Sequence, residues 1–261
     1  MAVIHLEIRN LSKSYVNDVG LNQIILEDVN FEIHSPESNG SFTTILAPFG
    51  SGKTTLLKII AGLENYSGEV NLNRKGIPKP YNEIIYIPEK PSSYPWLNVR
   101  ENLELPSKLN KLDKSVSLEM NELINLVGLS GYEDFYTSPD MSGFRLRIAI
   151  ARALSFNPKL ILLDDVLKNL DGETRLELIE LLKNLTAKKY SFLLAATNIS
   201  DAILLSEKIY LMKKNPGQIV KQINIPKPIK IEDSEIITKY KSEIESELRS
   251  QGMLNSVLVS L

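Results

Sequence analysis

Residues 47–55, Ala-Pro-Phe-Gly-Ser-Gly-Lys-Thr-Thr, combine the residue types needed to hold a chain of phosphates. Phosphate oxygens are bound where backbone N–H groups come very close, and Gly50 and Gly52 lack the Cβ that obstructs this approach. Lys53 supplies a point charge for the β- and γ-phosphates. Thr54 follows at the position whose hydroxyl reaches a Mg²⁺ ion. Pro48, Phe49, Ser51 and Thr55 complete the loop as nucleotide-binding candidates. A glycine-rich turn alone is weak evidence, so the flanks decide. Before the loop, the β-branched and apolar run Phe42–Leu46 predicts a buried strand. After it, Thr54–Ala61 predicts a helix ending at Gly62, whose dipole adds to the anion site. One departure is visible: Ala47 stands where the first glycine is usual.

The elements that must position this loop can be read along the chain. Val3–Ile8 and Ile24–Ile33 alternate like strands of a half-exposed sheet, and the turn-rich segment Ser35–Gly40 leads into the phosphate strand. Ile84–Ile87 is a short buried strand. Pro88, Pro91 and Pro95 then make an extended loop. Helical patterns follow at Val99–Leu105, Leu118–Val127 and Arg145–Leu154. Strand Leu160–Asp164, a helix through Leu176–Leu185, strand Ser191–Ala196, a short helix and strand Lys208–Met212 complete an alternation that predicts a mostly parallel sheet with helices on both faces. Beyond Ile225 the chain turns Pro- and Lys-rich. Ile236, Tyr240, Ile244 and Leu248 then recur every four residues, as in an amphipathic tail helix expected to pack on its own domain.

Totals narrow the function classes. A chain of 261 residues suits one large α/β domain with a subdomain. The net charge of −2 comes without a clustered basic face, which argues against a nucleic-acid partner. Cysteine is absent, so disulfide and thiolate chemistry are excluded. Glu7 falls too early for a signal peptide, and no apolar run approaches the roughly 20 residues of a membrane span. A soluble protein that reaches a membrane only through a partner is expected.

A second motif joins the first. Leu160–Asp164 is four apolar residues ending in an acid, and such an acid can hold Mg²⁺ beside a bound triphosphate. With these residues the chain resembles the ATP-binding subunit of an ATP-binding-cassette (ABC) transporter, over nearly its whole length. Ile148-Ala149-Ile150-Ala151-Arg152-Ala153-Leu154 is similar to the helix after the family's signature sequence. Tyr15 matches the aromatic residue that stacks on adenine. The string Pro95-Trp96-Leu97-Asn98-Val99-Arg100-Glu101-Asn102 resembles the importers for nitrate, sulfonate and taurine. The resemblance implies an α/β fold of the P-loop NTPase, ABC ATPase type: a mostly parallel sheet with flanking helices, an antiparallel β subdomain and a helical subdomain. The expected divisions are 1–88 (β subdomain and phosphate-loop core), 89–156 (helical subdomain), 157–225 (rest of the core) and 226–261 (C-terminal helical tail).

Departures from the family pattern fall on catalytic elements. The acid after the Mg²⁺ aspartate is Asp165 where glutamate activates water, and its carboxylate retracts by about 1.5 Å. A misplacement near 1 Å can cost on the order of a hundredfold in rate. Asn198 replaces a histidine; it can hydrogen-bond a γ-phosphate but carries no charge. Glu89 replaces a glutamine beside the metal, where a second negative charge would bind metal or repel nucleotide. Val166-Leu167-Lys168-Asn169 replaces a Pro-Phe-Gly-Ala type of run. The signature Leu-Ser-Gly-Gly-Gln appears as Asp140-Met141-Ser142-Gly143-Phe144. Ungapped counting sets Met141 on the serine, whereas reading Met141-Ser142-Gly143 as Leu-Ser-Gly needs one deletion. In either alignment Ser142 and Gly143 are the residues left to meet a partner's nucleotide. The resemblance implies ATP and Mg²⁺ as ligands (metal candidates Thr54, Asp164 and Glu89) and a place on the cytoplasmic face of the cell membrane. The implied partners are permease subunits, a substrate-binding protein and a second ATPase subunit, with a heterodimer favoured over a homodimer. Kept nucleotide residues beside altered catalytic ones imply slow hydrolysis. The alternative is an ATP-binding module that regulates a competent partner.

Overall fold

The computed structural model describes residues 4–16, 20–35, 39–73, 75–76, 83–91, 93–110, 119–138, 140–226 and 229–253. The expected helix start at Leu118, part of the turn after Ser35 and the end of the tail lie outside these residues. Two long strands, β1 (Ile4–Val16) and β2 (Asn22–Ser35), precede β3 (Phe42–Leu46) and α1 (Lys53–Ile60). Then come β4 (Ser67–Leu72), the two-residue β5 (Lys75–Gly76) and β6 (Ile84–Ile87). Three helices follow: α2 (Val99–Asn110), α3 (Met120–Leu126) and α4 (Ser142–Leu154). The chain returns to alternation with β7 (Leu160–Asp164), α5 (Gly172–Ala187), β8 (Ser191–Ala196), α6 (Ile199–Leu205), β9 (Lys208–Lys213) and β10 (Gln218–Asn224), and closes with α7 (Ser234–Ser250).

The central sheet has the order β10-β9-β3-β8-β7-β6. Its β9, β3, β8, β7 and β6 pair in parallel, and β10 runs antiparallel at one edge. Both faces are covered, which explains the unbroken apolar runs. On β7, Ile161 and Leu163 enter one core with Phe42, Phe192 and Leu194. Leu160 and Leu162 enter the other with Ile45, Leu193 and the apolar side of α1. That second core is closed by an antiparallel sheet of order β2-β1-β4-β5, through Leu6, Ile8, Ile33, Val70 and Leu72. Helices α2, α3 and α4 bury Leu103, Leu123, Ile124, Leu146 and Ile150 in the first core, continuous with the main sheet.

Three strands escaped the sequence reading. In β4 only Val70 and Leu72 are buried behind an exposed Ser67-Gly68-Glu69, so the apolar alternation is two residues long. The edge strand β10 buries Ile223 alone, and β5 is too short to carry a period. Helix α5 also starts earlier than the apolar pattern, at Gly172, because Asp171 caps it by accepting a hydrogen bond from the Thr174 N–H at 3.0 Å.

The tail helix α7 turns Ile244 and Leu248 inward, fully buried, and Met253 beyond it is buried as well. An ion pair of Lys221 with Glu247, 2.9 Å, ties the helix to β10. Truncating Leu248 to alanine in such a site removes roughly 2–5 kcal/mol. Leu248→Ala is therefore expected to lower the denaturant midpoint with an unchanged slope, measured by urea unfolding of the full chain. An unshifted midpoint would show that the helix does not contribute to the core.

Candidate nucleotide site

The loop after β3 has the backbone that its glycines predict. Gly50 (φ 77°) and Gly52 (φ 91°) are both left-handed, a region open to glycine at little cost. A Cβ on Gly52 would also lie 2.8 Å from Leu26 Cδ2. Gly52 is the N-cap of α1 and offers no side chain to its first turn, so the first N–H groups of α1 are left for an anion. The Ser51 hydroxyl is buried without a hydrogen-bond partner, an orphaned polar atom of the kind that a ligand oxygen satisfies.

Lys53 is buried, 7% exposed, and donates to the backbone carbonyls of Ala47 at 2.9 Å and Pro48 at 3.0 Å. Burial lowers its pKa to about 8, against the opposing pull of Asp165 and Asp164. Thr54 donates to Asp164 Oδ1 at 3.0 Å, which joins the start of α1 to the end of β7. The other carboxylate oxygen of Asp164 accepts from the Tyr86 hydroxyl at 2.8 Å. Burial raises the Tyr86 phenol, with the hydrogen bond to Asp164 adding to it, so the phenol stays a donor. Tyr86 carried no signal of its own in the sequence beyond membership of a short strand.

A cavity of about 290 Å³ opens on these groups. Its walls include Gly50, Lys53, Thr54, Glu89, Asp164 and Asp165. Glycine loop, buried cation, hydroxyl and carboxylate together fit a nucleoside triphosphate with Mg²⁺: the loop N–H groups and Lys53 face phosphate, and Thr54 and Asp164 present two oxygens to a cation. Glu89 reaches the cavity and is held there by Lys168 at 3.4 Å. Lys168 also lies 5.2 Å from the ring centroid of Phe49, whose side chain is 77% exposed.

The remaining candidates sit differently. Asp165 (φ 50°) turns the chain sharply after β7. Its carboxylate accepts from the Thr197 N–H and hydroxyl, each at 3.3 Å. Burial raises its pKa, while Lys53 and Lys168 oppose the shift. Val166 and Leu167, which stand where the family has proline and phenylalanine, are buried in the core. Asn198 is outside the cavity lining: it caps α6, accepting from the Asp201 N–H at 3.1 Å. Asp201 is in turn paired with Arg175 at 2.7 Å. Tyr15, exposed, also lies off the cavity, with the Lys13 ammonium 4.6 Å from its ring centroid.

Ser142 and Gly143 open α4. Gly143 is buried so closely that a Cβ would collide with Thr174 Cγ2 of α5. Phe144, standing where the signature has glutamine, packs into an aromatic group with Tyr132 and Phe135, each 5.6 Å away between ring centroids. The string Pro95–Asn102 is a folded device. Asn98 and Glu101 form a reciprocal capping box at the start of α2, each accepting the other's N–H at 2.8 and 2.9 Å. Fully buried Asn102 binds both the N–H and the carbonyl of Tyr94. The knot leaves Trp96 70% exposed.

Comparison with known proteins agrees with this geometry. Residues 26–168 match the family described as ABC transporter. The aliphatic sulfonates import ATP-binding protein SsuB of Bacillus cereus is 34% identical, over 96% of this chain and 98% of its own. The nitrate import ATP-binding protein NrtD of Synechocystis sp. is 29% identical over 95% and 96%. The taurine import ATP-binding protein TauB of Pelagibacter ubique is 34% identical over 84% and 82%. Among solved structures, cbiO1 from Clostridium perfringens, part of the ABC transporter complex cbiONQ, superposes with a TM-score of 0.72, covering 97% of this chain and 98% of that one at 21% identity.

The lowered Lys53 pKa gives a pH signature. A triphosphate favours the charged ammonium, so the pKa with nucleotide bound lies above the value of about 8 that burial gives Lys53. Between the two values binding takes up a proton, and affinity falls as pH rises through about 8. Titration calorimetry of ATP·Mg at pH 9 should give heats that vary with the ionisation enthalpy of the buffer, and at pH 6.5 heats that do not. Buffer-independent heats at pH 9 would contradict this.

Proposed function

The chain belongs to the ABC transporter family, and from that premise we propose that it is the ATP-binding subunit of a membrane importer for a small solute bearing an oxyanion group. It would lie on the cytoplasmic face as a peripheral subunit of permease proteins; no helix among the described residues is long and apolar enough to cross a membrane. The sulfonate, nitrate and taurine importers among its relatives support the solute class. The observation that carries ATP binding is the Thr54–Asp164 pair, 3.0 Å, facing one cavity with buried Lys53. Mg²⁺ held by Thr54 and Asp164 would neutralise phosphate charge. The chain's own residues do the rest: loop N–H groups orient the phosphates, and Lys53 holds the β- and γ-oxygens.

Hydrolysis by this chain is slow in this reading. A general base must reach the attacking water. Asp165 is one methylene short of a glutamate, and its carboxylate is held back on Thr197. The Asn198 oxygen is engaged in capping α6. The Asp165 observation also favours the second reading, a regulatory module that binds ATP without turning it over. Asp165→Glu is expected to raise ATPase turnover by tenfold or more, measured by phosphate release from the purified chain. Wild-type turnover already at roughly 1–100 s⁻¹ would overturn the account, and no turnover in either protein would favour the regulatory reading.

Two such subunits face each other with each phosphate loop opposite the other's signature. In a homodimer both composite sites combine Asp165 with a signature in which Phe144 is packed away. A heterodimer gives one site a partner's intact base. We therefore expect this chain to co-purify from its native membrane with permease and a second, different ATPase subunit. Recovery of a transport-competent complex containing two copies of this chain would refute the pairing.

A further inference from the structure

Both histidines of the chain stand opposite each other on neighbouring strands. His5 of β1 pairs in register with His34 of β2, and Glu32 lies two residues along β2, so the strand alternation puts all three on one face. That face points away from the core: His34 and Glu32 are exposed and His5 is partly exposed, while their neighbours Leu6 and Ile33 are fully buried. One ligand atom from each residue lies within 4.8 Å of the others, the only such group of three or more metal-ligating side chains among the described residues.

A second observation points to a ligand. His5 Nε2 is buried and has no hydrogen-bond partner, and Glu32 Oε2 is 3.9 Å away, beyond hydrogen-bond reach. A buried imidazole nitrogen without a partner costs free energy unless something binds it. We infer that His5, His34 and Glu32 form a zinc-binding site on the outer face of the antiparallel sheet, with water completing the coordination. Two imidazoles and one carboxylate are a recurrent zinc donor set that leaves an open position. Imidazole donors select zinc and its neighbours over Mg²⁺, so the site would not compete for the metal of the nucleotide cavity. Ile25, on the cavity wall, is seven residues from Glu32 along β2, roughly 20 Å.

Local geometry allows closure. The two rings are stacked, with centroids 4.2 Å apart and planes at 12°. Each nitrogen binds a metal in its own ring plane, so one ring must turn; exposed His34 can do so, since histidine χ2 has broad wells. Glu32 is steadied from below, where the Tyr210 hydroxyl donates to its carbonyl at 2.7 Å. His5 is fixed by its backbone N–H to Asn73 Oδ1, 2.9 Å. A bound ion would cross-link the first strand to the second and hold the start of β1 on the sheet.

The test uses the untagged full chain, stripped with a chelator and desalted. Zinc chloride is titrated in competition with a chromophoric chelator. Wild type should bind one zinc per chain, with a matching rise in melting temperature. His34→Ala, at an exposed position, should melt like metal-free wild type and bind zinc weaker by on the order of a hundredfold. Asp164→Asn, altered in the nucleotide cavity, should keep the zinc. Failure of wild type to bind zinc, equal affinity in His34→Ala, or loss of zinc in Asp164→Asn would each overturn the assignment.

Discussion

Keeping one ammonium group out of water is the constraint on which the rest of this architecture depends. A buried lysine stays charged only if its surroundings compensate for lost hydration. Around Lys53 the compensation is built from the carbonyl groups of Ala47 and Pro48, at 2.9 and 3.0 Å, and from the carboxylates of Asp164 and Asp165 at the end of β7, two strands away from β3 in the sheet. Those groups meet because β3, β8 and β7 are parallel neighbours, so their C-terminal ends open on one edge of the sheet. The register places Asp164 beside Ala195 of β8, and β8 in turn sets Leu46 beside Ala196. Parallel strands demand crossover helices, and the two cores those helices close make the sheet rigid enough to hold the site.

The same packing accounts for the altered catalytic elements. Val166 and Leu167 draw the segment after Asp165 into the core, and the Asp165 carboxylate rests on Thr197. Asn198 stabilises α6 instead of lining the cavity. Phe144 exchanges a polar tip for an aromatic cluster with Tyr132 and Phe135. Asn198 and Phe144 in particular are engaged by their own subunit, one at the start of α6 and the other in an aromatic group.

The antiparallel sheet has its own logic. It covers α1 with one apolar face and leaves the other polar, the usual division for a sheet packed on one side. On that outer face the two histidines lie opposite each other outside both apolar cores, so they serve no core function. Its position at the far end of β2 separates it from the cavity, though both are built on the same strand.

How much of this was legible beforehand follows from the range of each interaction. Residues 47–55, flanked by a buried strand and a helix, marked a candidate phosphate loop from local spacing alone, because its glycines and lysine act within one turn of chain. The runs at Phe42–Leu46, Leu160–Asp164 and Ser191–Ala196 were legible because burial on both faces leaves no polar position. β4 and β10 were not, since strands with one or two buried residues have no period to read. Tyr86 against Asp164, Asp165 against Thr197 and His5 beside His34 join residues 78, 32 and 29 positions apart. No spacing rule connects them. The sequence by itself determined the local chemistry of the glycine loop and the positions at which the chain departs from its family's pattern. Only the tertiary structure decided which groups those residues face, because strand order and register bring distant chain segments within hydrogen-bond reach.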